Sequence, residues 1–269
     1  MKLPKRPIAY VLAATNHGQF IINKNDYHLT PEGGYGVGFD IFNHSEFSSN
    51  EVEIALWLLD KRRERFGDGV FAIDCGANIG VHTIEWARHM HGWGSLVAVE
   101  AQERVFYALA GNIALNNCFN ARAVWAAVGS SAGSIAIPVL NYFQPSSFGS
   151  FEILKKQNTE FIGQTVDYEG EVIDTPMFAV DDLSIERVDF IKIDIEGMEV
   201  DALNGAINTI NRCRPYLLVE KIKSDQLVLF ELLAKFGYFI FDMGMNVLAV
   251  PSEENVISET ADFLKGLKL

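Results

Sequence analysis

Residues 71–80 combine an acid and two glycines in an order that suits the binding of a cationic ligand. Asp74 ends an apolar run, and the turn that follows contains Gly76, Asn78 and Gly80. Glycines let the backbone pass close to a ligand, and a helix N-terminus offers unpaired N–H donors. The two glycines stand four residues apart, so the G-x-G-x-x-G fingerprint of a pyrophosphate site is broken. The negative charge of Asp74 would repel a pyrophosphate, but it favours a ligand with a positive charge, such as an amino acid or a sulfonium.

A second acid, Glu100, ends the next apolar run, 20 residues after Gly80. At this distance, a carboxylate at the end of the neighbouring strand can bond both hydroxyls of a ribose. A lone acid at a strand end is as often a helix cap or a solvated side chain. Together with Asp74 and the glycine turn, however, Glu100 indicates an adenosine ligand without a bridging diphosphate. S-adenosylmethionine fits that description.

Three further acids, Asp194, Glu196 and Glu220, follow or end the strand-like runs at residues 188–195 and 215–220. The carboxyl ends of parallel strands meet at the ligand-binding edge of a sheet, so we expect these acids to converge beside the cofactor. Methyl transfer to a hydroxyl needs a group that takes up the proton, and a carboxylate whose pKa is raised by like charges could be that base. His82 is a second candidate base, although a histidine in a first helical turn more often caps or packs.

Acids that converge on one edge repel each other unless a cation lies between them. That cation could be the sulfonium, Lys192 or a divalent metal. Lys192 stands in mid-strand, which favours a buried ion pair over a catalytic role. Carboxylates suit Mg²⁺ or Ca²⁺, but no further ligand set is legible in the sequence. A metal therefore stays possible and is not predicted.

The elements that must position these residues alternate between strand and helix from residue 70 onwards. Strand patterns lie at residues 70–74, 95–100, 122–128, 188–195 and 215–220, and helical patterns at 81–90, 103–116, 199–210 and 225–236. Residues 238–242 and 246–250, on either side of a Met-Gly-Met turn, indicate a closing antiparallel hairpin. This alternation predicts an α/β fold with a doubly wound, mostly parallel sheet and helices on both faces.

Residues 1–66 follow a different pattern and are predicted to form an N-terminal strand-and-helix extension of a domain at 67–269. Strand-like segments lie at residues 8–13, 19–23 and 38–42, and a helix opens at 48–51. The basic residues before the apolar run at 8–14 follow the order of a signal peptide. Pro4 and Pro7 crowd that short run, so a first strand is the better interpretation.

A long insertion, residues 129–181, separates the third and fourth predicted strands. A segment of this length in a compact domain usually forms a lid or a wall of the substrate site. It contains the aromatic residues Tyr142, Phe143, Phe148 and Phe151. These rings would either stack on a sugar or another ring of an acceptor, or pack the loop against the protein.

The composition limits the partners and the location. A formal net charge of −13 disfavours nucleic acids and anionic membrane surfaces, because both carry negative charge. No run approaches the ~18 uninterrupted apolar residues of a membrane helix. The three cysteines are widely spaced and odd in number, which is typical of neither a disulfide framework nor a zinc site. We therefore expect a cytoplasmic protein that binds neither nucleic acids nor membranes, with an oligomeric state that the sequence does not indicate.

Eight short strings of this sequence, in their order and spacing, match those of a known family. They lie at residues 73–80, 97–100, 111–116, 126–129, 180–183, 188–199, 203–206 and 214–220. The most specific is Ile-Lys-Ile-Asp-Ile-Glu-Gly-Met-Glu at 191–199. Over about residues 50–221 the sequence thereby resembles the FkbM-type S-adenosylmethionine-dependent methyltransferases. The resemblance implies the class I methyltransferase fold, a Rossmann-like, seven-stranded sheet whose last hairpin is antiparallel.

The residues and the resemblance together predict S-adenosylmethionine-dependent methyl transfer to a hydroxyl oxygen of a saccharide, glycan or natural product. The methionine end of the cofactor would be held at the first turn by Asp74, Gly76, Asn78 and Gly80. Glu100 would hold the ribose, and Ala101 and Ala126 would line the adenine. The acceptor would face Asp194, Glu196 and Glu220. One alternative is an NAD-dependent oxidoreductase, weakened by the missing third glycine and by the lack of a recognisable Tyr-Lys or Cys-His pair. The other is a non-catalytic binding or scaffold protein, against which the intact acids and glycines argue.

Overall fold

The computed structural model describes residues 6–267. Its strands, in chain order, are β1 (Tyr10–Thr15), β2 (Gly18–Asn23), β3 (His28–Thr30), β4 (Gly33–Tyr35), β5 (Val70–Cys75), β6 (Gly94–Glu100), β7 (Ala121–Trp125), β8 (Ala127–Val128), β9 (Gly133–Pro138), β10 (Val172–Phe178), β11 (Phe190–Ile193), β12 (Tyr216–Glu220), β13 (Tyr238–Met243) and β14 (Asn246–Pro251). Its α-helices are α1 (Val37–His44), α2 (Ser49–Phe66), α3 (Val81–His89), α4 (Glu103–Leu115), α5 (Glu199–Asn204), α6 (Ile207–Cys213), α7 (Gln226–Lys235) and α8 (Ile257–Gly266). A short 3-10 helix spans Val180–Leu183.

Seven strands form the central sheet, in the order β13-β14-β12-β11-β5-β6-β7. The pairs β5–β6, β6–β7, β5–β11 and β11–β12 are parallel. Strand β14 runs against both of its neighbours, β12 and β13. Every residue of β11 and β12 is buried, as is typical of parallel strands that are covered on both faces. The predicted doubly wound sheet with a closing antiparallel hairpin is therefore confirmed.

Alternate side chains of the central strands enter two separate apolar clusters, one on each face of the sheet. On one face, Ala72 of β5 and Phe190 of β11 pack in a cluster with Leu58 of α2 and other side chains of α3 and α4. On the other face, Ile73 and Ile191 pack with side chains of α5, α6 and α7. Helices thus cover both faces of the sheet, as the alternation of elements predicted.

One predicted strand of the N-terminal segment, at residues 38–42, is wrong, because this stretch lies in helix α1. Val37 and Ile41 stand four residues apart and are both buried, which is helical spacing. Asp26 accepts a hydrogen bond from the N–H of Gly38 at 3.1 Å and so satisfies a donor of the first helical turn. The deciding partner lies 12 residues earlier in the chain, where a local apolar pattern cannot reveal it.

Two other predicted elements are interrupted. The strand expected at 122–128 breaks after β7, and β8 joins β9 and β10 in a separate three-stranded sheet. The helix expected at 199–210 divides into α5 and α6, because Asp181 accepts hydrogen bonds from the N–H groups of Asn208 and Thr209 and so begins a new helix. The insertion therefore has strands of its own, and one of its residues caps a helix of the sheet.

The N-terminal segment buries side chains in one of the two apolar clusters of the central sheet. Phe20 and Ile22 of β2 belong to this cluster together with Ile84 of α3 and Leu109 of α4. The boundary that the sequence predicts at residue 67 stays a prediction. Across residues 6–267, no helix combines the length and the apolar character needed to cross a membrane, and the cytoplasmic location also stays a prediction. The three cysteines are free thiols, as expected.

Buried Arg62 of α2 links this helix to the amino-terminal end of the parallel strands, opposite the end at which their carboxyl ends lie. Arg62 Nε donates to Asp189 Oδ1 at 2.9 Å, and its Nη1 donates to Glu254 Oε1 at 3.2 Å. The guanidinium also donates to the backbone carbonyls of Arg214 and Cys213. The side chains of Arg62, Asp189 and Glu254 are all buried. Removal of the arginine would therefore take away a positive charge that offsets the negative charges of two buried carboxylates.

We expect Arg62→Met to lower the free energy of unfolding by about 3 kcal/mol, because breaking a buried ion pair exposes the desolvation cost of the remaining charges. Arg63→Met on the same helix is the matched control. Arg63 pairs with Asp68 at the surface, where an ion pair contributes at most about 1 kcal/mol. Urea unfolding of the two variants measures the difference, and equal losses would contradict the clamping role of Arg62.

Candidate active site

A cavity of about 430 Å³ opens at the carboxyl ends of the parallel strands. Residues that follow β5, β6, β7, β11 and β12 form its floor, and the N-terminal segment, the insertion and the turn between β13 and β14 form its walls. The volume lies within the range of about 300–1,000 Å³ that is usual for ligand pockets. Open α/β sheets bind their ligands at this edge, so the cavity is the candidate active site.

Nine of the eleven site residues predicted from the sequence line this cavity. They are Gly76, Asn78, His82, Glu100, Ala101, Ala126, Asp194, Glu196 and Glu220. The other two, Asp74 and Gly80, lie outside its lining. Asp74 is buried and accepts a hydrogen bond from Thr83 Oγ1 at 2.6 Å, and Gly80 packs tightly against the side chain of Leu109. Both positions support the turn from within the protein.

The turn between β5 and α3 is held against the end of β11. Gly76 has a φ of 77°, and a Cβ at this position would overlap the carbonyl oxygen of Asp194. The N–H of Asp194 in turn donates to the carbonyl of Cys75 at 3.1 Å. Asn78 has a φ of 50°, and its Oδ1 accepts a hydrogen bond from the N–H of Ile79. Backbone contacts therefore bring the two groups of predicted site residues together.

Glu100 ends β6 at the cavity and accepts two backbone hydrogen bonds, from Asn78 N–H on Oε2 at 2.9 Å and from Gln102 N–H on Oε1 at 2.8 Å. Burial raises the pKa of Glu100 to about 7, although these N–H groups act against the rise. Because each carboxylate oxygen can accept two hydrogen bonds, each keeps one site for a further donor, as the two hydroxyls of a ribose require. Ala101 and Ala126 line the cavity and leave room for a flat ring. These residues therefore fit an adenosine-containing cofactor.

Asp194, Glu196 and Glu220 form an acidic cluster in which carboxylate oxygens lie within 4.8 Å of one another. Lys192 Nζ donates to Asp194 Oδ2 at 2.7 Å, as the mid-strand lysine was expected to do, and Lys223 Nζ lies 2.5 Å from Glu196 Oε2. Burial, and then the charge of Asp194, raises the pKa of Glu196 to about 8 and that of Glu220 to about 10. These surroundings therefore do not stabilise the ionised form of all three acids at neutral pH.

His82 lines the cavity, but its surroundings make it a weak base. Burial, and then the positive charge of Lys192, lowers the pKa of His82 well below its ordinary value. Its Nε2 is 3.6 Å from Glu51 Oε2 and has no hydrogen-bond partner among the described residues. The ring contacts Trp86 edge-on. The geometry thus favours packing over proton transfer for this histidine.

The aromatic residues of the insertion divide between the two roles considered for them. Tyr142 and Phe148 stack on each other with ring centroids 4.7 Å apart. Gln102 Nε2 donates to the carbonyl of Phe148 at 2.8 Å, which ties this stack to the end of β6. Phe143 is exposed and lies outside the cavity lining, whereas Phe151 is buried and lines it. Packing therefore accounts for Tyr142 and Phe148, and Phe151 is the one of these four rings that lines the cavity.

Sequence reasoning missed the wall that the N-terminal segment contributes. This wall includes Tyr35, Asp40, Phe47 and Glu51. Nothing in their local pattern indicates a site, because they reach the cavity only through the packing of α1 and α2 against the sheet. Their positions make the N-terminal segment part of the candidate site.

Lys223 was also missed, although it follows Glu220 by only three residues. Its Nζ donates to the carbonyl of Ser150 at 2.7 Å and lies 3.0 Å from Glu160 Oε2. Both partners belong to the insertion. Because Lys223 also pairs with Glu196, it joins the insertion to the acidic cluster. Its nearness to the end of a central strand was the signal that could have identified it.

The strand order and the place of the cavity define a class I methyltransferase fold. Residues 74–240 match the family described as "Methyltransferase FkbM domain", and this match covers more than half of the chain. The chain therefore belongs to the FkbM methyltransferase family.

Curated relatives and solved structures add more distant similarities. Methyltransferase sdnD of Sordaria araneosa is 24% identical over 159 residues, which cover 50% of this chain and 60% of that protein. Methyltransferase 1 of Beauveria bassiana is 24% identical over 153 residues, which cover 52% of this chain and 59% of that protein. The chain thus spans about three fifths of the length of these relatives. The crystal structure of methyltransferase FkbM from Methylobacillus flagellatus KT is 17% identical with a TM-score of 0.46, over 68% of this chain and 43% of that one.

We expect Gly76→Ala to lower the free energy of unfolding more than Gly92→Ala. Both glycines have positive φ values, 77° and 83°, which cost an alanine about 1–2 kcal/mol each. A Cβ on Gly76 also overlaps the Asp194 carbonyl, whereas nothing lies within 4 Å of a Cβ on Gly92. Urea unfolding of both variants measures the difference. Equal losses would contradict the close contact between the turn and Asp194.

We expect the affinity for S-adenosylhomocysteine to fall as the pH is lowered through about 7, because Glu100 then takes up a proton and accepts hydrogen bonds less well. Asp74 raises the pKa of Glu100 further. Tyr10 and Tyr142 stay protonated, because burial raises the pKa of each. Calorimetry between about pH 6 and pH 8 measures the trend, and Glu100→Gln should bind more weakly with a flatter profile. A constant wild-type affinity across this range would disprove the ribose assignment.

Proposed function

We propose that this protein transfers a methyl group from S-adenosylmethionine to a hydroxyl oxygen of a saccharide, a glycan or another natural product. The observation that carries the proposal is the arrangement of Glu100 and the acidic cluster on one cavity. Glu100 offers two acceptor sites to a ribose, and the cluster offers carboxylate oxygens to the proton of a hydroxyl. Membership of the family supports methyl transfer, and the cluster supports an oxygen atom as the acceptor.

On the cofactor side, the residues of this chain bind and orient. Glu100 would accept hydrogen bonds from the ribose hydroxyls, and Ala101 and Ala126 would contact the adenine. The backbone of Gly76 and Asn78 would lie along the methionine end. When bound, the cofactor supplies an electrophilic methyl group on a sulfonium, whose positive charge suits this acidic edge. Neither Asp74 nor Gly80 lines the cavity. The two residues would therefore support the turn that holds the methionine end and would not contact the cofactor.

On the acceptor side, we assign the proton-accepting role to Asp194. Its side chain is 32% exposed, more than that of Glu196 at 14%, and it lines the cavity. Lys192 bonds Oδ2, so Oδ1 is the oxygen that would receive the hydroxyl proton. Methyl transfer is an in-line displacement and depends on correct positioning of the acceptor oxygen. Phe151 and Tyr35, which line the cavity, would position the acceptor and exclude water.

We also propose that the acceptor is a small molecule or a glycan and not a nucleic acid. Six carboxylates line the part of the cavity outside Glu100: Asp40, Glu51, Glu160, Asp194, Glu196 and Glu220. Lys192 and Lys223 also line it, and each pairs with at least one of these acids. A phosphate backbone would therefore meet net negative charge, which opposes binding.

Calorimetry with S-adenosylmethionine and with NAD separates methyl transfer from hydride chemistry. We expect saturable binding of S-adenosylmethionine and none of NAD. The methyl-labelled cofactor is then incubated with a panel of hydroxylated glycans and natural products, and transfer is followed by mass spectrometry. A properly folded protein that does not bind S-adenosylmethionine would refute the proposed function.

For an acceptor found in this way, we expect Asp194→Asn to lower kcat about 100-fold or more, as the loss of a general base does. The affinity for the cofactor should change little, because the amide keeps the shape of the side chain. Asp174→Asn, on the exposed face of β10, is the matched control and should keep full activity. An Asp194→Asn variant with wild-type kcat would show that another group accepts the proton.

A further inference from the structure

We propose that Asp194, Glu196 and Glu220 together form a binding site for one hard divalent cation, Mg²⁺ or Ca²⁺, beside the cofactor pocket. Each of the three residues offers a carboxylate oxygen, and these oxygens lie within 4.8 Å of one another. Oxygens on opposite sides of a bound Ca²⁺ are about 4.6–5.2 Å apart, those on opposite sides of Mg²⁺ are about 4.0–4.2 Å apart, and neighbouring ligands lie closer together. Three oxygens that share one cation cannot all lie opposite one another, so a small inward movement of the carboxylates would bring them within reach of either ion.

Glu220 gives an independent reason to expect a ligand at this position. The residue is 8% exposed, and its Oε2 has no hydrogen-bond partner among the described residues. Buried polar groups in native proteins are almost always hydrogen-bonded, and one left unsatisfied calls for an explanation such as an ion. Glu220 ends β12, and its carboxylate points into the group of oxygens formed with Asp194 and Glu196. A cation there would supply the missing partner.

The two lysines nearby do not remove the need for a further cation. Lys192 occupies Asp194 Oδ2, and Lys223 lies at Glu196 Oε2 while also pairing with Glu160. Neither lysine forms an ion pair with Glu220 in the part of the chain that the structure describes. Asp194 and Glu196 each keep a second oxygen for another ligand. The two lysines thus offset part of the negative charge of the three acids, and the charge between the three carboxylates is not offset.

The chemistry of the donors selects the class of metal. The three ligands are carboxylates, whereas sites for zinc or copper are built from nitrogen and sulfur donors. Hard cations also keep bound water, which the adjoining cavity has room to hold. A hydroxyl bound to such a cation loses its proton more readily. In the reaction proposed above, on which this role rests, Asp194 Oδ1 would bind the cation through one lone pair and accept the hydroxyl proton through the other.

Cation binding can be tested without any methyl acceptor. The full chain is stripped with EDTA and dialysed, and it is then titrated with Mn²⁺, a spectroscopic probe for Mg²⁺, followed by electron paramagnetic resonance. Ca²⁺ is titrated by calorimetry in parallel. We expect one saturable site per chain, competition by Mg²⁺, and a Tm that rises with Ca²⁺, because a ligand that binds only the folded state stabilises it.

Variants of the cluster decide whether the bound ion lies at this site. Glu220→Gln and Asp194→Asn should each weaken Mn²⁺ binding at least about tenfold and remove the rise in Tm. Asp174→Asn, which changes an exposed acid of β10 outside the cavity lining, is the matched control and should bind as the wild type does. Circular dichroism confirms that each variant is folded before titration.

Two results would overturn the inference. One is the absence of saturable Mn²⁺ or Ca²⁺ binding at millimolar concentrations in a protein that still binds S-adenosylhomocysteine, which would leave protons or an amine of the acceptor to balance the cluster. The other is binding that stays unchanged in both cluster variants, which would identify an adventitious surface ion. Failure to bind S-adenosylhomocysteine would instead refute the proposed function, so the two failures are distinguishable.

Discussion

Gly76 lies directly against the carbonyl oxygen of Asp194, and the arrangement of the candidate site depends on this backbone contact. The parallel pairing of β5 with β11 ends at Cys75 and Ile193, so the chain leaves both strands at the same level. Only a residue without a Cβ allows the backbone that follows β5 to contact the backbone that follows β11. The contact places the turn that would hold the cofactor beside the acids that would face the acceptor. Methyl transfer, which depends on alignment more than on any single functional group, needs that proximity.

The second constraint is electrostatic, and it extends from the sheet to the insertion. Burial acts to lower the pKa of Lys192, but the carboxylates of Asp194 and Asp74 outweigh that effect and raise it. The lysine therefore stays charged in the middle of the site. At the other end of the cluster, Lys223 pairs with Glu196 and reaches the insertion at Glu160. Any change in the charge of the cluster would thus also alter the contacts that hold the wall of the cavity in place.

The central sheet was predictable because buried parallel strands are continuous apolar runs, whose pattern is local. The acids at the strand ends were predictable for the same reason, since the topology alone brings Glu100 and Asp194 to one edge. Local patterns cannot identify a hydrogen-bond or packing partner that comes from a distant segment of the chain. Residues 38–42 form a helix because Asp26 accepts a hydrogen bond from an N–H group of the first helical turn. Asp74 lies outside the cavity lining, where it accepts a hydrogen bond from Thr83. The N-terminal wall was missed because its residues reach the cavity only through tertiary packing.

The formal charge of −13 is unevenly distributed, and the distribution has a consequence for binding. Arg62 and Arg187 both bond Asp189, just before β11 begins, at the end of the sheet remote from the cavity. Among residues 6–267, no arginine lines the cavity, and the lysines that do so are engaged by acids. At the end remote from the cavity the arginines are paired with Asp189 and Glu254, whereas acids outnumber lysines in the lining of the cavity. This excess of acids would draw a sulfonium towards the site and would oppose an acceptor that carries phosphate or sulfate. A neutral polyol meets no such opposition, and its hydroxyls are the groups that the carboxylate oxygens can bind.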